Sequence, residues 1–199
     1  MTPPHAEMPA TVLLLGDPQL RRVSEPVLDV HDPDFLAKGQ RLRRALDAFR
    51  NEHGFGRAIA APQIGIAQRF IAVHLPSYVG LLINPAITWR SAETFTMWDD
   101  CMSFPSLFVR VRRHDAISVS FLDESGQPCM WSKLDRATSE LLQHEIDHLD
   151  GILSFDRIDS DASAGAGGVG RDAIVLRDVF EKDPAYFRKQ VHYVIGDGA

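Results

Sequence analysis

Gln143-His144-Glu145-Ile146-Asp147-His148 is the stretch from which the rest of the chain can be read. Ala137, Leu141, Leu142 and Leu149 surround it at helical spacing, with Asp135 or Thr138 as a start and Gly151 as a stop. Residues four apart share one face of a helix. His144 and His148 therefore present two ring nitrogens to one point, where they can share a metal ion. Glu145 follows the first histidine and can reach a water on that ion without ligating the metal itself. This is the arrangement of metal-assisted hydrolysis, in which the ion lowers the pKa of water and the carboxylate moves its proton. The plainer reading is a pair of partly exposed polar histidines, but a leucine-rich face gives no other reason for them or for Glu145.

Two ligands rarely complete a site. The longer pattern H-E-x-x-H-x-x-G-x-x-H is matched as far as Gly151, but Ser154 stands where the third histidine belongs. Glu181 is the only glutamate downstream, and it lies beyond a glycine-rich break. Cys101, upstream in Asp99-Asp100-Cys101-Met102-Ser103, is the better candidate. One thiolate with two imidazoles suits a borderline-soft divalent metal and leaves a position open for water. A lone cysteine without such partners is more often a buried, inert thiol.

With these residues in place the chain resembles the peptide deformylases, which remove the formyl group from the N-terminal methionine of new bacterial and organellar proteins. That family carries G-x-G-x-A-A-x-Q, E-G-C-x-S and Q-H-E-x-D-H in order. Here they are matched by Gly56-Arg57-Ala58-Ile59-Ala60-Ala61-Pro62-Gln63, by Asp99 to Ser103, and by Gln143 to His148. Leu15-Gly16-Asp17-Pro18-Gln19-Leu20-Arg21 resembles the family's opening segment, and the likeness spans roughly residues 11–158. Ala58 replaces a glycine of the first motif, and Arg57 stands where an apolar residue is usual. Asp99 replaces glutamate and Asp100 replaces glycine in the second. Gly56, Arg57, Ala58 and Asp100 are expected on the substrate-facing rim.

The resemblance implies a mechanism. Cys101, His144 and His148 hold one divalent metal ion per chain, Fe(II) as the native ion with Zn, Ni or Co able to replace it. Glu145 takes a proton from water and later gives one to the leaving amine. The side-chain amide of Gln63 and the backbone N–H of Met102 donate to the oxyanion. The partner is an N-formylmethionyl peptide, with the ribosome as a transient one. Two other functions are open at this point: an amidohydrolase acting on another N-formyl or N-acyl substrate, and a non-catalytic metal- or peptide-binding relative. A generic metallopeptidase is weaker, given Ser154 and the thiolate.

Composition is consistent with one enzyme domain over residues 1–199. The chain has 45% apolar and 24% charged residues, and a net charge of -6 argues against general nucleic-acid binding. Arg110, Arg112 and Arg113 form a local basic run that strand alternation would place on a solvated face. Only Cys101 and Cys129 occur, which fits a reducing compartment. No run is long and apolar enough to span a bilayer, so a cytoplasmic protein without membrane contact is expected.

The remaining pattern is mixed. Asp32-Pro33 opens a helix carrying Phe35, Leu42, Leu46 and Phe49 and ending near Gly54. Strands are expected at Phe70–Leu75, Leu81–Ile83, Ile87–Trp89 after an interruption at Pro85, Leu107–Arg113, Ala116–Phe121 and Cys129–Trp131. The expected fold is α+β, with antiparallel sheets packed around a central helix bearing the H-E-x-x-H motif. A core over about 11–158 is followed by a flexible loop at 160–170 and a helical segment over 171–199, with helices at 172–182 and 183–194.

Overall fold

Asp32 sets the entry of the first helix, α1 (Pro33–His53): its carboxylate accepts the Phe35 N–H at 3.3 Å, and Pro33 takes the first helical position. Gly54 ends it in a left-handed conformation, φ 76°. These positions belong to a computed structural model that describes residues 10–158 and 173–195. The glycine-rich loop expected at 160–170 lies outside the described residues. Phe35, Leu42 and Leu46 are buried in the core, as their spacing predicts. Phe49 is not: it is half-buried and lines a cavity.

The strands are β1 (Ala58–Ala60), β2 (Phe70–Leu75), β3 (Tyr78–Arg90), β4 (Thr94–Asp99), β5 (Leu107–His114), β6 (Ile117–Leu122) and β7 (Pro128–Trp131). A further strand, β8 (Ile174–Leu176), follows the second long helix, α2 (Arg136–Leu149). They form two antiparallel sheets, ordered β1-β2-β3-β6-β7 and β4-β5-β8, so the fold is α+β. Pro85 does not split β3. The register shifts between Ile83 and Ala86, and Asn84 takes φ 51° while its side chain clasps both the N–H and the C=O of Val27 at 2.8 Å. A bulge of this kind lets a strand carry a residue with no N–H to donate.

Asp135 caps α2, accepting the Thr138 N–H at 2.8 Å. Leu142, Ile146 and Leu149 pack on Ile71, Val73, Ile117 and Val119 of the first sheet. Each such apolar side chain contributes roughly 1.5–3 kcal/mol on burial. Every residue from Ser139 to Leu149 is buried, the polar motif residues included. The helix end is tied by the Ser24 N–H to the Leu149 carbonyl at 2.8 Å. Gly151 follows at φ 70°, where a Cβ would lie 2.5 Å from the Arg21 carbonyl oxygen, so the stop requires glycine.

The C-terminal segment departs from expectation. Residues 173–176 do not continue a helix. Ile174-Val175-Leu176 is a β-prone run, and it adds to the free edge of β5 as β8. Only then come α3 (Arg177–Lys182) and α4 (Pro184–Arg188), the latter ending six residues short of the expected Val194. Tyr193 returns to bridge Met97 of β4.

Candidate active site

Two sheets and one helix bring the three motifs together. β1 runs directly into a 3-10 turn, Ala61–Ile64, that buries Gln63. The segment after β4 supplies Asp100, Cys101 and Met102, and α2 supplies His144, Glu145 and His148. The thiol of Cys101 and a ring nitrogen from each histidine lie within 4.8 Å of one another, and all three residues are buried. Cys101 Sγ stands 3.2 Å from His148 Nε2. That spacing, with one soft and two borderline donors and a cavity at the front, suits a four-coordinate metal with a position left open.

Asp99 organises the site. One oxygen of its carboxylate, Oδ2, takes three donors: His144 Nδ1 at 2.9 Å, Arg113 Nη2 at 3.0 Å and Ser154 Oγ at 2.9 Å. The bond at Nδ1 leaves His144 Nε2 as the atom available to a metal, the usual duty of a carboxylate behind a ligating histidine. Burial works against the Asp99 charge, but His144 and Arg113 outweigh it and hold the carboxyl well below the usual range. Burial likewise opposes charge on His144, and Asp99 overcomes it, raising the imidazole well above its ordinary value. His148, with burial and the neighbouring His144 both against its charged form, falls well below. A neutral imidazole is the form that binds metal.

Arg113 corrects the reading of the basic run. Val109, Val111 and Arg113 share the inward face of β5, so Arg113 is buried and bridges Asp99 to Asp147, whose other oxygen accepts Arg157 Nη2 at 2.8 Å. Arg110 is buried too, its guanidinium 5.6 Å from the Trp98 ring, and only Arg112 is exposed. Asp147 thus anchors the motif helix from behind. Ser154, which excluded a third histidine, serves the same carboxylate as His144.

Burial pushes the Glu145 carboxyl up to about 7, where a group exchanges protons most readily near neutrality. Its Oε2 is buried without a hydrogen-bond partner among the described residues, an atom that something in the finished site must satisfy. Gln63 accepts the Ala60 N–H on Oε1 at 2.8 Å, which fixes its amide nitrogen as the donor facing Cys101 Sγ at 3.5 Å and Ser103 Oγ at 3.3 Å. The Met102 N–H donates to no acceptor among the described residues.

The cavity in front encloses about 680 Å³ and is lined by Gly56, Arg57, Ala58, Gln63, Asp100, Cys101, Met102, His144 and Glu145 among others. His148 sits behind this surface, 2% exposed. Two of the rim residues are engaged in ion pairs. Arg57 pairs with buried Glu140 of α2 and donates to the Ala137 carbonyl at 3.0 Å. Burial lifts Glu140 to about 7 despite that guanidinium. Asp100 accepts Arg177 Nη2 at 2.8 Å. The sequence motifs supply Cys101, His144, His148 and Glu145, which the structure brings together at the cavity; Arg113, Ser154 and Arg177 come only from the fold, although the phase of Arg113 with Val109 and Val111 is a usable signal.

Residues 9–164 match the polypeptide deformylase family. The peptide deformylase of Treponema pallidum (strain Nichols) is 40% identical over 147 residues, 73% of this chain and 85% of that protein. The chain is similar in structure to a Synechococcus elongatus peptide deformylase in complex with actinonin, with TM-score 0.69 and 29% identity over 77% of this chain and 81% of that one. It is also similar to a Met-Ala-Ser-bound class I type b peptide deformylase from Acinetobacter baumannii, with TM-score 0.65 and 28% identity over 76% and 99% of the two chains.

Proposed function

Given that the chain belongs to the peptide deformylase family, we propose that Cys101, His144 and His148 hold one divalent metal ion and that Glu145 moves the protons of the reaction. The reaction itself is that of the family: hydrolysis of the N-formyl amide of newly made peptides, with dependence on a metal. The observation that carries the site assignment is the buried cluster of one cysteine sulfur and two imidazoles facing a cavity, with the Oε2 of Glu145, unpartnered among the described residues, beside it.

When bound, the ion acidifies water and polarises the formyl oxygen. Asp99 holds the His144 ring in its ligating orientation. Glu145 accepts the proton of the attacking water and returns one to the leaving amine. The Gln63 amide and the Met102 N–H donate to the oxyanion, both held in place before the reaction begins. Gly56, Arg57, Ala58 and Asp100 border the path of the peptide. A thiolate with two imidazoles accepts several divalent ions, and we take Fe(II) as native, with Zn, Ni and Co as replacements. The proposal includes one domain over 1–199, with sheets packed around a central motif helix. It also includes a cytoplasmic site of action and transient contact with the ribosome that delivers the substrate. Among the described residues no helix is long and apolar enough to cross a membrane.

The test is turnover of formyl-Met-Ala-Ser by protein purified anaerobically, with metal quantified in the same sample. Turnover with about one metal ion per chain supports the proposal. Metal bound without turnover contradicts it. The Arg57–Glu140 pair on the cavity wall favours one second reading, an amidohydrolase for a polar N-formyl or N-acyl compound. Preference for small formamides over formylated peptides in a substrate panel would establish that reading instead.

A further inference from the structure

The family match ends at residue 164, yet the cavity does not. Arg177, Phe180, Glu181, Tyr193, Val194 and Ile195 line it. From this we infer that the C-terminal stretch 173–195 is a specificity wall of the substrate site. Phe180 reads the side chain that follows the formylated methionine and favours a bulky apolar one, while Arg177 fixes the wall against the motif loop. This rests on the deformylase reading.

The acyl part of a formamide is a single carbon with its oxygen and hydrogen. A cavity of about 680 Å³ therefore has to be filled from the amine side of the scissile bond, that is, by the peptide. The wall it meets there is aromatic. Phe180 is stacked with both Phe108, at 4.4 Å, and Phe187, at 5.1 Å, and stands 6.1 Å from Trp98 in an edge geometry, so it is the edge of this stack that borders the cavity. Trp98 is in turn pinned by its Nε1 to the Phe187 carbonyl at 3.0 Å. A bulky apolar side chain set against the edges of these rings sheds water and gains dispersion contacts, whereas a methyl group reaches too few ring atoms to gain much and a carboxylate loses its hydration.

The wall is built into the second sheet. β8 pairs with β5, and the His192 N–H donates to the Thr96 carbonyl at 3.0 Å. Arg177 is its hinge pin: Nη2 to Asp100 Oδ2 at 2.8 Å, Nε to the Pro105 carbonyl at 2.6 Å, and the guanidinium 4.4 Å over the Phe108 ring. This gives a reason for aspartate at position 100, where the motif has glycine. The loop that carries Cys101 and Met102 is locked to a segment outside the family match. Arg177 is a positioning residue, acting on the peptide through that loop.

The experiment compares formyl-Met-Ala-Ser with formyl-Met-Phe-Ser on the metal-loaded full chain. It is paired with calorimetric binding of the products Met-Ala-Ser and Met-Phe-Ser, which needs no turnover. Wild type should favour the Phe peptides in both readouts. Phe180→Ala should cut that preference about five- to tenfold, with the Ala peptides changed less than about twofold and Phe180→Leu restoring part of the preference. Arg177→Met should raise KM for both peptides by a larger factor than it lowers kcat, and Arg177→Lys should recover part of both. Unchanged discrimination in Phe180→Ala, or a loss confined to kcat in Arg177→Met, would overturn the inference. Absence of wild-type turnover with product discrimination intact would count against the deformylase reading and leave the wall standing.

Discussion

Asp99→Asn removes one charge and almost no volume from the point where the site is most constrained. Three donors, from His144, Arg113 and Ser154, converge on a single oxygen. An asparagine can keep its carbonyl there and weaken all three bonds, or turn its amide there and oppose them. Loss of a partner behind a metal-ligating histidine costs about 10–100-fold in metal affinity. On stability, Arg113 retains Asp147, so the loss falls below that of a fully orphaned buried charge. About 2–3 kcal/mol is expected, from the worth of hydrogen bonds to a charged group and the lower bound for a broken buried pair. At roughly 2–4 °C per kcal/mol for a chain of this size, the melting temperature should fall by about 4–12 °C. The pH dependence has a definite sign. Asp99 is held below its ordinary value when folded, so its contribution is complete above the unfolded carboxylate pKa of about 3.9 and drains away as the pH falls below it. The wild type should therefore lose its advantage over the variant only in that acidic window. Chelator competition measures the affinity, and melts from about pH 2 to about pH 8, a range that enters the acidic window, measure the stability. A variant that binds metal within twofold of wild type would refute the role given to Asp99.

Glu145→Gln should keep its metal while turnover of formyl-Met-Ala-Ser drops by at least about 100-fold; metal analysis beside a deformylation assay checks both, and retained turnover sinks the general-base role. Arg113→Met should destabilise by about 3 kcal/mol or more, because it leaves buried Asp99 and Asp147 without the cation that stands between them. Urea denaturation reads this directly, and a midpoint equal to wild type would mean that the two carboxylates do not depend on Arg113.

The parts of this protein that are legible from sequence are those set by short-range chemistry. The helix carrying His144 and His148 announces itself by its apolar spacing, its Asp135 cap and its Gly151 stop, and α1 does so by Asp32-Pro33 and Gly54. What escapes depends on long-range partners. β4 is the exception, a strand absent from those expected although its signal is local: residues 94–97 alternate β-branched threonines with apolar residues, and the segment pairs with β5. Ile174–Leu176 is a strand because an edge is open to it. Phe49 carries the same helical phase as the core residues, but what lies opposite it is a cavity. Arg113 reads as a solvated charge because its two acidic partners are 14 and 34 residues away in the chain.

The account stands most directly on what coordinates the metal. X-ray absorption at the metal edge of the purified protein should show one sulfur at about 2.3 Å and two nitrogens at about 2.0–2.1 Å, with the sulfur contribution gone in Cys101→Ala. A first shell of nitrogen and oxygen alone in the wild type, or a sulfur signal that survives in Cys101→Ala, would contradict it.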